Sequence, residues 1–318
     1  MKFVLAPLAG FTDAPFRRLC REGGADLVYT EMVSAAGLAH GSEPTRRLME
    51  TMPGEGPTAV QLFGAKEDEL AYSVRTIPSG FAEIGLNAGC PMTKVTREGA
   101  GAKLVEDPEK IYRLLKAMTE NTPLPVTLKT RLGPRPGWTT IFEIVDAAEK
   151  AGAKGIAVHA RYTSQMHGGE VHLDTLAEVV ARSRIPVTGN GSVVNRATAE
   201  AMAGTGVAAI MVGRAALGDP AIFAKLKGAP VAPTPSVDVA ERHLSYILQF
   251  RELLVSRYPG ARLPSPDGYA SVKMHTHLFR YFSGRPGAAA LRARLNTVRT
   301  IAEIESVIAA CRRGDAVA

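Results

Sequence analysis

The sequence predicts an α/β fold, a (β/α)8 barrel followed by a small all-helical domain, and three observations predict it. Eight short apolar runs rich in β-branched residues recur with starts about 29 residues apart, room for a strand and a crossover helix. Amphipathic helical patterns lie between them. Nearly every run ends in a polar residue, as strands do where a barrel gathers its active site at their C-terminal ends. A doubly wound open sheet is the alternative; the even count and the polar ends favour closure.

In order, the runs are FVLAPLAG from Phe3, LVYTEM from Leu27, TAVQLFG from Thr58, EIGLNAG from Glu83, PVTLKTRL from Pro125, GIAVHAR from Gly155, PVTGNGS from Pro186 and AAIMVGRA from Ala208. Between them, DPEKIYRLLKAMTEN offers Asp107 as N-cap, Pro108 at the first helical position, and Ile111, Leu114, Leu115 and Met118 on one stripe. TTIFEIVDAAEKAG is a second helix, stopped by Gly152. After Phe223 the pattern changes. Pro230, Pro233 and Pro235 mark a linker over 230–235 that separates a barrel (1–229) from a helical domain (236–318). There Leu244, Ile247, Leu248, Leu253 and Leu254 keep helical spacing, and further helices are expected around Val272–Phe282, Ala288–Val298 and Ile301–Cys311.

With 318 residues, 46% of them apolar, and a mean hydropathy near zero, the chain can bury a large core, which excludes the disordered class. No run approaches the roughly 20 apolar residues of a membrane helix, and the opening MKFVLAPLAGFTD lacks a signal-peptide cleavage pattern. Cys20, Cys90 and Cys311 are odd in number and far apart, so a cytoplasmic protein without disulfides is expected. No metal site is expected either, since His275 and His277 have ligand spacing but no Cys nearby. The net charge is +7, and residues 231–318 hold 12 basic against 7 acidic residues, mostly arginines. Such a module suits a polyanion, because guanidinium groups pair bidentately with phosphate. A solvated helix surface is the simpler account of the same surplus.

At the strand ends, TGNGSV places Gly189 and Gly191 before a helix capped by Asn195, and GRAALGDP follows the eighth strand. Loops after strands seven and eight are the usual phosphate site of such barrels, so a phosphorylated ligand is expected. GTGVAA at Gly204 precedes a strand and is no dinucleotide fingerprint. Lys129 closes strand five and His159 strand six. A lysine in a barrel mouth calls for an anionic or electron-rich ligand, for a salt bridge to a carboxylate such as Glu31, or for Schiff-base chemistry. Gln61 offers paired amide contacts to a heterocycle. Cys90, in LNAGCPMTKV, stands at a strand end between Gly89 and Pro91, whereas Cys20 and Cys311 read as buried packing thiols.

Taken together, LAPLAGFTDAPFRRL, TEMVSA, VQLFG, LNAGCPMTKVTREGAGAKL, VTLKTRLG, VHAR, TGNGSV and MVGRAALGDPAIF resemble the tRNA-dihydrouridine synthases, flavin-dependent barrels with a helical C-terminal domain. The likeness covers the barrel strand by strand and is weaker after the linker. It implies FMN resting on Pro7, Leu8 and Ala9, with Gln61 and Lys129 at the flavin ring and His159 on the ribityl side. The phosphate would lie on Asn190, Gly191, Ser192, Gly213 and Arg214, the loops nominated above. It implies Cys90 as the acid that protonates C5 of a D-loop uridine while hydride reaches C6, with NADPH or NADH as reductant. A thiol of ordinary pKa, about 8.5, is mostly protonated at neutral pH and so able to donate. Asn87, Arg131 and Arg161 are then expected at the uracil, Lys94 at the nucleic-acid backbone, and Arg280, Arg285 and Arg292 at tRNA phosphates. A monomer acting on tRNA is expected. Tyr162, Met166 and His167 after VHAR, and Ala221 after GDP, depart from the family pattern and leave the target uridine open. The competing readings are a flavin barrel reducing a small molecule (a dihydroorotate or enoate), a Lys129 Schiff-base aldolase, and an RNA chaperone that has kept the fold.

Overall fold

A computed structural model describes residues 1–230, 235–283 and 288–313, with side chains of the last segment from residue 290. Eight parallel strands, β1 (Lys2–Leu5), β2 (Leu27–Ser34), β3 (Thr58–Phe63), β4 (Glu83–Ala88), β5 (Val126–Arg131), β6 (Gly155–His159), β7 (Val187–Asn190) and β8 (Ala209–Val212), pair in chain order, and β8 pairs β1 to close the barrel. The closed topology is the expected one. The helix Pro108–Thr119 is capped by Asp107, whose side chain accepts from the Lys110 amide, and it buries the four stripe residues read from the sequence.

Two apolar layers follow from the period of two along each strand. Outward residues pack against the surrounding helices, and inward residues form a small plug of Val4, Ala6, Tyr29, Ala59, Ala157, Ala209 and Met211. Within the barrel the Tyr29 hydroxyl bonds to Glu83, which also accepts from Thr127 Oγ1 at 3.0 Å. β2 is bulged between Tyr29 and Met32.

Beyond the barrel lie the helices Ser236–Arg257, Pro266–Tyr281, Ala288–Thr297 and Ile301–Arg313. The second begins six residues earlier than expected, capped by Ser265 with Pro266 in its first turn. These helices do not hang from a tether. The outer core of the barrel continues into them without a break, from Phe16, Leu19 and Cys20 to Leu244, Ile247 and Leu278. Polar contacts add to this: Tyr246 donates to Glu22 at 2.7 Å, Tyr258 to Glu50 at 2.6 Å, and Arg257 pairs with Glu50. Residues 231–234 of the expected linker lie outside the described residues.

Candidate functional site

The parallel register assembles the site. It sets Asn87 opposite Lys129, Arg131 opposite His159, and His159 opposite Asn190, while Gln61 pairs with Gly85. Ala59 and Ala157 belong to the interior plug, so Gln61 and His159, two residues further along their strands, also face inward. A polar and cationic ring therefore sits on an alanine-rich floor at the C-terminal end of the barrel. A concavity of about 400 Å³ lined by Thr58, Pro78, Phe81 and Tyr258 lies at the opposite end, where β3 and β4 begin, and does not meet this ring.

Cys90 is a half-buried free thiol on a loop held from three sides. Asn87 Oδ1 accepts from the amides of Gly89 at 3.1 Å and Cys90 at 2.9 Å. Arg131 Nε donates to the Gly89 carbonyl at 2.8 Å, and its Nη1 to the Tyr162 carbonyl at 3.2 Å. Behind the loop, the Ala102 amide donates to the Cys90 carbonyl at 2.8 Å. Gly101, at φ +59°, lets the chain pass so close that a Cβ there would stand 2.7 Å from that same oxygen. Asn87 and Arg131 are 5% and 1% exposed, and the groups expected to greet a base are largely spent on shaping the Cys90 loop. Asn87 Nδ2 donates to Gln61 Oε1 at 2.7 Å, which leaves Gln61 Nε2 buried without a partner among the described residues.

Lys129 Nζ reaches Asn190 Oδ1 at 3.4 Å, and Asn190 Nδ2 is anchored on the Met211 carbonyl at 2.8 Å. The salt bridge from Lys129 to Glu31 does not form. Glu31 sits instead near Lys273 of the helical domain. Arg161, expected near the uracil, lies toward the loop after β7: its Nη2 donates to Ser192 Oγ and to the Gly169 carbonyl, each at 2.7 Å, and its Nη1 approaches His159 Nε2 at 3.2 Å.

Electrostatically the ring is a collection of cations. Burial, then the neighbouring Arg131 guanidinium, lowers Lys129 to about 8. Burial likewise brings Arg131 to about 10, opposed by the Cys90 thiol. His159 is held neutral far below its ordinary range by burial and by Lys129, Arg131 and Arg161. His167, whose ring stacks 6.2 Å from that of His159, is lowered by burial and by Arg131 and Arg214. Gathered positive charge with no carboxylate among its strongest perturbers is costly to hold unless an anion enters.

Three loops frame the ring on the side of β1, β7 and β8. Gly191 stands at φ +137° and Ser192 at φ +50°, a left-handed turn that a side-chain-bearing residue seldom adopts. A Cβ on Gly213 would touch Ala6 and Leu8, so the β8 loop lies against the β1 loop. There Leu8 receives the amides of Phe11 and Thr12, and Gly10 donates to Glu31 Oε2 at 2.5 Å. Pro7 and Leu8 are half-buried, and Ala9 and Arg214 exposed.

The remaining expected residues lie further out. Lys94 is exposed on the short helix Thr93–Thr96 just after Cys90. Arg280 is exposed, Arg292 stacks on Phe279 at 4.4 Å, and Arg285 lies outside the described residues. Much of the tail's surplus is already paired: Arg242 with Glu22, Arg257 with Glu50, Lys273 with Asp13, and Arg312 with Asp238 and Glu241. His277 is buried against Phe16 and His275 bonds Asn296; among the described residues no His, Cys, Asp and Glu cluster is arranged to hold a metal. No described helix is long and apolar enough to cross a membrane. Tyr162, noted in the sequence only as a departure from the family pattern, takes Arg131 on its carbonyl and meets Thr139 through its hydroxyl at 2.6 Å, and Lys273 was not singled out; neither stands in a motif that signals its partner.

The chain is similar to known proteins over most of its length. The chain is 35% identical over 245 residues to tRNA-dihydrouridine synthase B of Klebsiella pneumoniae, covering 75% of this chain and 76% of that protein. It is 33% identical over 303 residues to tRNA-dihydrouridine synthase B of Pseudomonas putida, covering 93% and 86%. A solved 2-naphthoyl-CoA reductase complexed with 2-naphthoyl-CoA shares the fold, with a TM-score of 0.52 at 12% identity over 72% of this chain and 50% of that one. The pattern of the dihydrouridine synthase family matches residues 4–313. Matched over nearly its whole length and similar to these relatives, the chain belongs to the dihydrouridine synthase family.

Proposed function

We propose that the protein is a tRNA-dihydrouridine synthase that holds FMN at the barrel mouth and reduces the C5–C6 bond of a D-loop uridine, with Cys90 as the proton donor. The observation that carries this reading is the Cys90 loop, fixed by Asn87 and Arg131 beside a ring of cations at the C-terminal strand ends.

The residues present fit an FMN. Gln61 Nε2 is a buried donor with no partner among the described residues, suited to a carbonyl or ring nitrogen of a flavin. Lys129 and the neutral His159 lie between it and the loops of Asn190, Gly191, Ser192, Gly213 and Arg214, where a phosphate meets backbone amides and a guanidinium. Pro7, Leu8 and Ala9 supply the adjoining backbone. Once bound and reduced by NADPH or NADH, FMN would supply the hydride for C6 of the uracil.

The chain's own residues do the rest. Cys90 Sγ gives its proton to C5 from the opposite face, and the negative charge left on sulfur is favoured by Lys129 and Arg131, whose charged forms Cys90 supports in turn. The same two cations favour the charge that builds on the uracil carbonyls. A uridine in folded tRNA reaches this mouth only when swung out of its stack. Lys94, at the rim, and Arg280, Arg285 and Arg292, on the helical domain, then hold the RNA backbone. Cys20, Cys90 and Cys311 form no disulfide among the described residues, which suits the reducing cytoplasm. There we take the protein to act as a monomer.

The test is turnover. Purified protein should carry flavin and form dihydrouridine in unmodified tRNA with NADPH, and Cys90→Ala should abolish this while still binding tRNA. Reduction of small enones with no action on tRNA would favour a small-molecule flavin enzyme. Colourless protein that takes up no FMN would refute the reading.

A further inference from the structure

The helical domain reaches the first-strand loop directly. Lys273, on the helix Pro266–Tyr281, places Nζ 3.2 Å from Asp13 Oδ2 and 3.9 Å from Glu31 Oε1. One helical turn on, His277 packs edge-on against Phe11 at 5.4 Å. Asp13 caps the helix Ala14–Glu22 through the Phe16 amide, and Glu31 holds the Gly10 amide at 2.5 Å. The loop carrying Pro7, Leu8 and Ala9 is thus gripped at Gly10, Phe11 and Asp13, and two of the three grips are two carboxylates that share one lysine. Their side chains are 9% and 12% exposed, so without that cation two like charges would face each other with little water between them.

We propose that Lys273 is a positioning residue for the cofactor loop: supplied by the helical domain, it neutralises Asp13 and Glu31 together and so keeps Gly10 and the Pro7–Ala9 backbone in the conformation that receives the flavin. The proposal rests on the flavin reading above. It gives the helical domain a part in cofactor binding, separate from any contact with RNA. Burial raises Glu31 while Lys273 opposes it, and Asp13 is held low by Lys273 and the two neighbouring histidines despite its burial, which accords with a single cation serving both carboxylates.

The experiment measures FMN dissociation constants on the full-length apoprotein by quenching of flavin fluorescence, with melting temperatures taken without FMN. Lys273→Met should weaken FMN by about tenfold. Lys273→Met combined with Glu31→Gln, which removes the repulsion but keeps an acceptor for the Gly10 amide, should recover to within about threefold of the parent. Arg242→Ala, which breaks the Glu22 pair elsewhere on the same interface, should stay within about twofold. The proposal is overturned when Lys273→Met binds FMN like the parent, or when the double variant is as weak as the single, since a packing role is not rescued by removing a charge. Should Lys273→Met fail to fold, a soluble double variant with near-parental FMN affinity supports the shared-cation role, and failure of both refutes it. A parent that binds no FMN sinks the flavin reading itself; a parent that binds FMN beside an unaffected Lys273→Met sinks only the positioning role.

Discussion

Replacing Asn87 by alanine tests whether the Cys90 loop is built as the contacts indicate. The side chain accepts from two backbone amides, at 3.1 and 2.9 Å, and donates to Gln61 at 2.7 Å. Gly89 is buried, so its amide finds no ready substitute in water; Cys90 is half-buried and recovers part of its loss. A buried donor left unpaired costs about 1–3 kcal/mol, and the lost Gln61 contact adds about 1. The expected destabilisation is about 2–4 kcal/mol, seen as a melting temperature lower by about 5 °C or more. The larger effect falls on chemistry: a thiol displaced by an ångström loses about 100-fold in the rate of proton transfer. Single-turnover formation of dihydrouridine at saturating tRNA isolates that step, with flavin absorbance confirming equal loading. Asn87→Asp is the sharper companion. It keeps the acceptor for both amides and loses only the donation to Gln61. Asp should therefore melt and turn over closer to the parent than Ala. Equal damage from both, or an Ala variant within threefold of the parent rate, would refute the loop-building role.

Further expectations follow from the same ring. Lys129→Met should cost about tenfold or more in FMN affinity yet raise the melting temperature at pH 7, because a cation disfavoured by burial is removed. The sign follows from its lowered folded value: the unfolded chain holds the extra proton between pH 8 and 10.5, so stability of the parent rises with pH across that window, and the variant should lose this rise in a pH series of thermal melts. His159 is neutral throughout the physiological range, so FMN affinity should show no step between pH 5.5 and 8 that His159→Gln removes, as a fluorescence titration would show. Replacing Arg280, Arg285 and Arg292 together by alanine should weaken tRNA binding and flatten its salt dependence by about two to three in slope, with flavin content unchanged; filter binding across a salt series reads this out.

The barrel was legible because each of its eight strands leaves a local trace: a short apolar run, a polar residue at its end, and a helical stripe before the next. The loops after β7 and β8 were legible for a similar reason, since Gly191 and Gly213 stand in short motifs at predictable strand ends. What escaped is what depends on contact between distant segments. Arg131 has the side-chain type of a base ligand, and only the register of β4 against β5 shows it bonded to the Gly89 carbonyl. Glu31 was a reasonable partner for Lys129 by type, yet the bulge in β2 and the helix Pro266–Tyr281 give it to Lys273, over 240 positions away. The early start of that helix was written in Ser265 and Pro266, a capping signal obscured by Gly268 in the first turn. The basic tail shows the limit of counting charge. Its surplus is real, but several of its cations are occupied by carboxylates of the barrel or of the tail itself.

The alanines beneath the ring set a depth. With Ala59, Ala157 and Ala209 packed among Val4, Tyr29 and Met211, the interior is filled almost to the level of Lys129, whose register partner is Ala157. Whatever docks here rests near the top and never sinks into the cylinder, so the distance to be travelled falls on the visitor. A polynucleotide must distort itself to deliver a nucleotide to a shallow counter, and its willingness to distort becomes part of what the enzyme selects.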